Sequence, residues 1–246
     1  MAARGLAKTL PRFRLWHSAD TRSLRVLWTF KELNLVRGRD YAMRTLPFPP
    51  REHQPEFLWS NILGTVPYFE HQEKHDPSPR ASLTESCAVP QYIVEQREGW
   101  SRSSLNIPTH HRDRGAFLNW LCHADATLTF PQAVVMRYGV FEPGVADAAA
   151  EGYAKWFVAR LRLLNLALAD GRDYLCGGRM TIADICIGYA LYNASEHGLC
   201  GRGLASLGKE PLSAFYKPQT RDYLDRLLSR PTWRAAQAEQ AEPDDF

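Results

Sequence analysis

The hydrophobic period of this chain changes near residue 100, and that change limits the folds open to it. Before it, short apolar runs with strand character alternate with helical stripes; after it, nearly every apolar residue recurs at helical spacing. "RFRLWH" reads as a strand. "TRSLRVLWTFKELNL" carries Leu24, Leu27, Trp28 and Leu35 at helical intervals, and Gly38 stops it. Tyr41, Met43 and Thr45 in "RGRDYAMRTL" suggest a second strand. "PFPPREHQPEFLWSN" is a proline-rich loop with one helical turn. "TVPYFEH" and "RASLTES" are two short strands joined by a polar turn, and "CAVPQYIVEQ" is a helix. The predicted order is β-α-β-α-β-β-α over residues 12–97. "REGWSRSSLNIPTHHRDR" is poor in apolar residues and rich in turn formers, which makes residues 98–114 a linker. Residues 115–240 then read as an all-helical bundle of about five or six helices, and the tail "AEPDDF" as frayed.

Composition removes several function classes. A net charge of +3 spread over 246 residues lacks the clustered basic excess of a dedicated nucleic-acid binder. No run approaches the roughly 20 apolar residues of a membrane span, so no membrane partner is expected. Cys87, Cys122, Cys176, Cys186 and Cys200 form neither a CxxC pair nor a His/Cys cluster with zinc spacing, so no metal is expected. Their odd number, with no secretory signal, points to a reducing, cytoplasmic setting. "MAARGLAKTLPR" reads as a basic extension.

Three stretches carry chemistry. In "NILGTVPYF", Pro67 interrupts a strand-like run and cannot donate to a ladder. A cis Val66–Pro67 bond would turn the backbone of Val66 toward an extended peptide; a plain edge strand is the alternative. In "LTESCAV", Thr84 or Ser86 caps a helix whose N-terminus favours a carboxylate, and Glu85 beside it suits an ammonium group. Pro90 falls near the end of that helix's first turn. In "GGRMTIADICIGYAL", Thr181 and Asp184 have capping-box spacing before an apolar helix, a structural role.

These stretches, in this order, resemble the cytosolic-type glutathione transferase superfamily. "GTVPYF" is similar to its cis-proline signature, "LTESCAVPQYI" to its γ-glutamyl-binding serine, and "YLCGGRMTIADICIGYAL" to the capping box of its sixth helix. The resemblance covers about residues 12 to 235. "HSADTRSLRVLW" is similar to bacterial serine/threonine-type members, which keep a hydroxyl rather than a cysteine after the first strand. It implies a thioredoxin-like N-terminal domain, an all-helical C-terminal domain, a homodimer, and glutathione as cosubstrate in detoxifying transfer to a hydrophobic electrophile. It also implies that Val66, next to Pro67, pairs with the cysteinyl part of glutathione. Glu85 and Ser86 would hold the γ-glutamyl end, and His53 in "REHQPEF", with Arg51 and Gln54 as neighbours, the glycyl carboxylate.

The sequence departs from the family at Asn61-Ile62, where Asn-Pro is common, and at Thr65, where Lys, Gln or Arg is common. The turn holding Lys74 and His75 is also longer than usual. A thiol near pKa 8.5 becomes mostly thiolate at neutral pH after a drop of about two units, or about 2.7 kcal/mol. A hydroxyl donor near the start of the first helix can supply that stabilisation. Thr21 and Ser18 are the candidates for that donor, with Ser23 read as a cap, Arg22 adding positive potential and Asp20 turned away. Trp120, His123, Phe130 and Tyr138 of the first long C-terminal helix are candidates for the electrophile pocket and equally fit core positions. The alternatives within the enzyme class are a glutathione-dependent peroxidase, disulfide reductase, isomerase, dehalogenase or β-etherase. Outside it stands a non-catalytic glutathione-transferase-like module.

Overall fold

The structure is a computed structural model that describes residues 11–73, 78–98 and 104–246. The basic N-terminal extension, Lys74, His75 and the first part of the linker lie outside the described residues. Strands β1 (Phe13–His17), β2 (Tyr41–Thr45), β3 (Tyr68–Gln72) and β4 (Pro79–Leu83) form one sheet in the order β2-β1-β3-β4. β1 runs parallel to β2, with Phe13 opposite Tyr41, and antiparallel to β3, with Trp16 opposite Tyr68; β4 pairs antiparallel to β3. Helices α1 (Leu24–Glu32), α2 (Pro50–His53) and α3 (Ala88–Glu98) complete a thioredoxin-like domain.

Alternation along β1 sorts the two faces. Phe13 and Leu15 join the main core with Leu24, Leu27, Trp28 and Phe30 of α1. Trp16 faces the opposite side, in a small cluster with Leu46, Phe57, Val66 and Tyr68. Pro90 lies in the first turn of α3, the part of a helix that tolerates proline best.

The C-terminal region is mostly helical. α4 (Arg114–Cys122) passes without interruption through a π-helical segment, His123–Thr129, into α5 (Phe130–Met136) and a second π-helical turn, Arg137–Phe141. Pro131 cannot donate a helical hydrogen bond, and the wider π turn before it accommodates that loss. α6 (Asp147–Ala167), α7 (Ile182–Ala194), α8 (Leu199–Ser206), α9 (Pro218–Leu228) and α10 (Pro231–Glu239) follow.

α7 is buried along its whole length. Asp184 fixes its start: one carboxylate oxygen accepts from the backbone N–H and the hydroxyl of Thr181, each at 2.8 Å. The other accepts from Leu175 N and Tyr223 Oη, each at 2.9 Å. Burial pushes this carboxyl up, and those donors oppose the push.

α10 returns to pack along α1. Trp28 meets Trp233 edge-on at 4.8 Å, Glu32 takes both arms of Arg230 at 2.8 Å, and Lys31 and Tyr41 share the buried Glu239. The final residues are ordered on the sheet edge rather than frayed. Thr45 N donates to Asp244 at 2.7 Å, Met43 N donates to Asp245 at 2.8 Å, and Phe246 stacks edge-on against Trp16 at 5.0 Å. The outer edge of β2 presents unpaired donors, and two carboxylates satisfy them.

Asp184→Ala strips four donors of their acceptor. We expect a loss of about 2–4 kcal/mol in urea unfolding, above the value of a simple cap. Asp184→Asn should fall between that variant and the parent.

Candidate functional site

The site begins where β1 ends. His17 is third in the inward row Phe13, Leu15, His17, so a polar ring is carried into the core side of the sheet. Thr21 Oγ1 donates to the Ser18 carbonyl at 2.8 Å and shares a 2.7 Å hydrogen bond with Ser23 Oγ. Ser23 Oγ in turn lies 2.8 Å from His17 Nδ1. All three residues are buried. Ser23 precedes the first residue of α1 but makes no side-chain cap bond; its hydroxyl is turned to the His17–Thr21 chain instead. Ser18 is also buried, and its hydroxyl has no hydrogen-bond partner among the described residues. Burial lowers the His17 pKa to about 4, with Arg37 adding to the shift and Gln240 and Asp20 opposing it, so the imidazole is neutral at physiological pH.

Asp20 makes the bend possible. It adopts φ 56°, a left-handed conformation that Asp tolerates better than most residues. Its carboxylate points away from Thr21, accepting from Tyr192 Oη at 2.9 Å and Arg202 Nη2 at 2.6 Å. Its backbone N–H donates to Gln240 at 2.7 Å. The loop is therefore gripped by α7, α8 and the end of α10.

One helical turn beyond Thr21, Arg25 is wholly buried. Its Nη1 donates to Ser86 Oγ at 2.7 Å, Asp125 Oδ1 at 3.0 Å and Cys87 Sγ at 3.3 Å. Its Nη2 donates to Thr129 Oγ1 at 2.7 Å and to the Ala124 carbonyl at 3.3 Å. Arg22 adds a second, looser ion pair to Asp125 at 3.7 Å. Burial alone would raise the Asp125 carboxyl; the guanidinium groups of Arg25 and Arg22 outweigh it and hold the carboxyl below its ordinary value. The π segment matters here because it carries Asp125 and exposes the Ala124 carbonyl to Arg25 and to the Thr129 hydroxyl, which donates to it at 2.7 Å.

Ser86 is buried at the start of α3, with Glu85 exposed beside it. The Glu85 carbonyl receives the N–H groups of Ala88 and Val89. The Val66–Pro67 peptide is cis, and Val66 lies just before the first ladder pair of β3. Asn61 braces this turn by donating to the Thr65 carbonyl at 2.8 Å. His53 is exposed at the end of α2.

Trp120 is buried in the main core, and the His123 ring meets it edge-on at 5.4 Å. Burial lowers the pKa of His123, and Arg160 adds to that effect. Tyr138 is half-buried under the Arg137 guanidinium, on the second π turn. Phe130 is exposed and packs on Tyr153. The structure thus brings Ser86, Arg25 and Asp125 into one network and Thr21, Ser23, His17 and Ser18 into another; no direct bond joins either to Trp120, His123 or Tyr138. Sequence reasoning missed Arg25, Asp125 and His17. Arg25 had a visible signal, a charge flanked by Leu24, Val26, Leu27 and Trp28. Asp125 and His17 had none.

Comparison with known proteins agrees with this architecture. Residues 11–95 match the family model described as glutathione S-transferase, N-terminal domain. Over 237 residues the chain is 25% identical to glutathione S-transferase 1 of Schizosaccharomyces pombe, covering 94% of this chain and 98% of that protein. The fold is shared with the glutathione transferase URE2P8 of Phanerochaete chrysosporium, solved with oxidised glutathione. Its TM-score is 0.72 at 18% identity, covering 95% of this chain and 97% of that one. A Pseudomonas putida glutathione transferase, solved with one glutathione disulfide per subunit, gives a TM-score of 0.70 at 21% identity, covering 92% and 90%. The family match lies in the N-terminal region, and the likeness to the solved structures is one of fold. No helix among the described residues is long and apolar enough to cross a membrane, and no group of metal-ligating side chains is found among them.

The depressed His17 pKa has a thermodynamic consequence. The unfolded chain takes up this proton near pH 6.5 while the native imidazole resists until about 4. Native stability is therefore full above about pH 6.5 and falls as pH drops toward 4, by up to about 3 kcal/mol. Urea titrations at a series of pH values should show this slope in the parent and a flatter one in His17→Asn.

Proposed function

We propose that this chain is a hydroxyl-type glutathione transferase that ionises glutathione and delivers its thiolate to a hydrophobic electrophile. The observation that carries the reading is the Arg25 bridge. It locks the start of α3 to α1 one turn beyond Thr21 and holds Ser86 by its oxygen at 2.7 Å. Because Ser86 accepts from Arg25, its own O–H is available to donate to the γ-glutamyl carboxylate, and the exposed Glu85 suits the ammonium group. Val66, outside the β3 ladder and next to Pro67, suits the cysteinyl backbone, and His53 the glycyl carboxylate. Thr21 is our choice for the thiol-directed hydroxyl and Ser18 its rival. Thr21 is favoured because its oxygen already sits in a chain of donors, whereas the Ser18 hydroxyl stands in none.

In this reading residues 12–97 bind glutathione, 98–114 link, and 115–240 supply the electrophile side through Trp120, His123 and Tyr138. Thr181 and Asp184 act structurally. The chemistry asks for no metal, and the reducing cytoplasm suits a thiol cosubstrate. A homodimer is part of the proposal, supported by an apolar group after α2 with Trp59 91% and Ile62 87% exposed. Conjugation is favoured over a protein-thiol relay because no cysteine lies between His17 and Val26.

Retention on immobilised glutathione is expected for the parent and lost in Ser86→Ala; absence of binding by calorimetry in the parent points instead to a non-catalytic module. Thr21→Ala should raise the apparent pKa of bound glutathione in a thiolate absorbance titration. An unchanged titration, with a shift in Ser18→Ala, reassigns the role to Ser18. A panel of electrophiles, peroxides and disulfides assayed with glutathione separates conjugation from its alternatives.

A further inference from the structure

The hydroxyl chain behind Thr21 has a direction, and the direction depends on which nitrogen of His17 carries the proton. If Nδ1 is protonated, it donates to Ser23 Oγ; Ser23 then donates to Thr21 Oγ1 at 2.7 Å in preference to the Ser18 carbonyl at 3.3 Å, and Thr21 keeps a hydrogen to give. If Nε2 is protonated, Ser23 donates to Nδ1 and Thr21 to Ser23. Thr21 then shows only lone pairs outward and repels a thiolate. The distances, 2.8 Å from His17 Nδ1 to Ser23 and 2.7 Å from Ser23 to Thr21, suit either direction.

The surroundings select one. His17 Nε2 is buried and makes no hydrogen bond among the described residues. A buried N–H without an acceptor is rarer than an under-used acceptor. Gln240, the neutral polar group beside the ring, turns its carbonyl oxygen to the Asp20 N–H at 2.7 Å and makes no hydrogen bond with Nε2. The charged groups acting on the ring are Asp20, whose carboxylate is held by Arg202 and Tyr192, and Arg37.

We propose that His17 is a positioning residue whose Nδ1–H, relayed by Ser23, aims and polarises the Thr21 hydroxyl toward the glutathione sulfur. This rests on the Thr21 reading above. With no thiolate bound, Thr21 gives its hydrogen to the Ser18 carbonyl at 2.8 Å. That carbonyl also receives the Thr21 backbone N–H at 3.2 Å, so it keeps a partner when the hydroxyl swings to sulfur. No proton leaves the chain in this step: three hydrogen bonds point the same way and reinforce one another. His17 acts as a neutral donor.

The test is the absorbance titration of the bound glutathione thiol in five proteins: the parent, Thr21→Val, Ser23→Ala, His17→Leu and His17→Asn. Thr21→Val should raise the apparent pKa. Ser23→Ala and His17→Leu should raise it by about 0.5–1, the value of one lost donor. His17→Asn, whose amide N–H replaces Nδ1–H, should restore the parent value. Affinity for S-methylglutathione, which has no thiol to ionise, should be the same in all five.

A rise in Thr21→Val with none in Ser23→Ala or His17→Leu overturns the role of His17 and leaves Thr21 standing. No rise in Thr21→Val overturns both. If His17→Leu fails to fold, Ser23→Ala and nitrogen-15 NMR of the ligand-free parent decide. A protonated Nδ1 with a bare Nε2 is expected there, and a protonated Nε2 overturns the inference whether or not glutathione binds.

Discussion

The fold and the site both depend on one buried charge. Arg25 sits on the apolar side of α1, where an unpaired guanidinium would be ruinous. Five acceptors from two other parts of the chain answer it: Ser86 and Cys87 at the start of α3, and Ala124, Asp125 and Thr129 on the π segment. Each has to come to Arg25, because the head group is far from water. α3 and the helix after α4 are thus brought to α1 by a polar requirement as well as by apolar packing. The requirement is directional, so it sets where the Ser86 oxygen lies.

The π segment follows from the same requirement read the other way. A straight α-helix through Pro131 would leave a gap in its hydrogen bonding. On the widened turn the Ala124 carbonyl accepts from two side chains, the Arg25 guanidinium and the Thr129 hydroxyl. The irregular segment before Pro131 thus serves as an anchor for a guanidinium on another element.

Much of the fold was legible because it is written in periodicity. The alternation of Phe13 and Leu15, the stripe through Leu24, Leu27 and Trp28, and the Thr181–Asp184 spacing are local patterns that need no knowledge of the partner. The cis turn at Val66–Pro67 and the place of Ser86 just before α3 were legible from local motifs too. The rest is long-range. Nothing near His17 says that its ring will meet Ser23, since strand parity and the helix start decide that only in three dimensions. Nothing in "CHADATLTF" marks Asp125 as the counter-charge of a residue one hundred positions earlier. The tail misled for a related reason: Asp244 and Asp245 look like solvent-loving residues until an open strand edge is set beside them.

Asp20 shows how far the two regions have ceased to be separable parts. Its backbone conformation turns the chain from strand to helix, yet Tyr192, Arg202 and Gln240 restrain it, all beyond residue 190. An N-terminal half cut free would retain its sheet but lose the clamp on that bend and the acceptors of Arg25 on the π segment. Exchange of halves between distant relatives, whether by recombination in nature or by chimaera in the laboratory, therefore has to carry positions 20, 25 and 32 together with their partners. The unit that evolves is the seam between the two regions, and each half is bound to the history of the other.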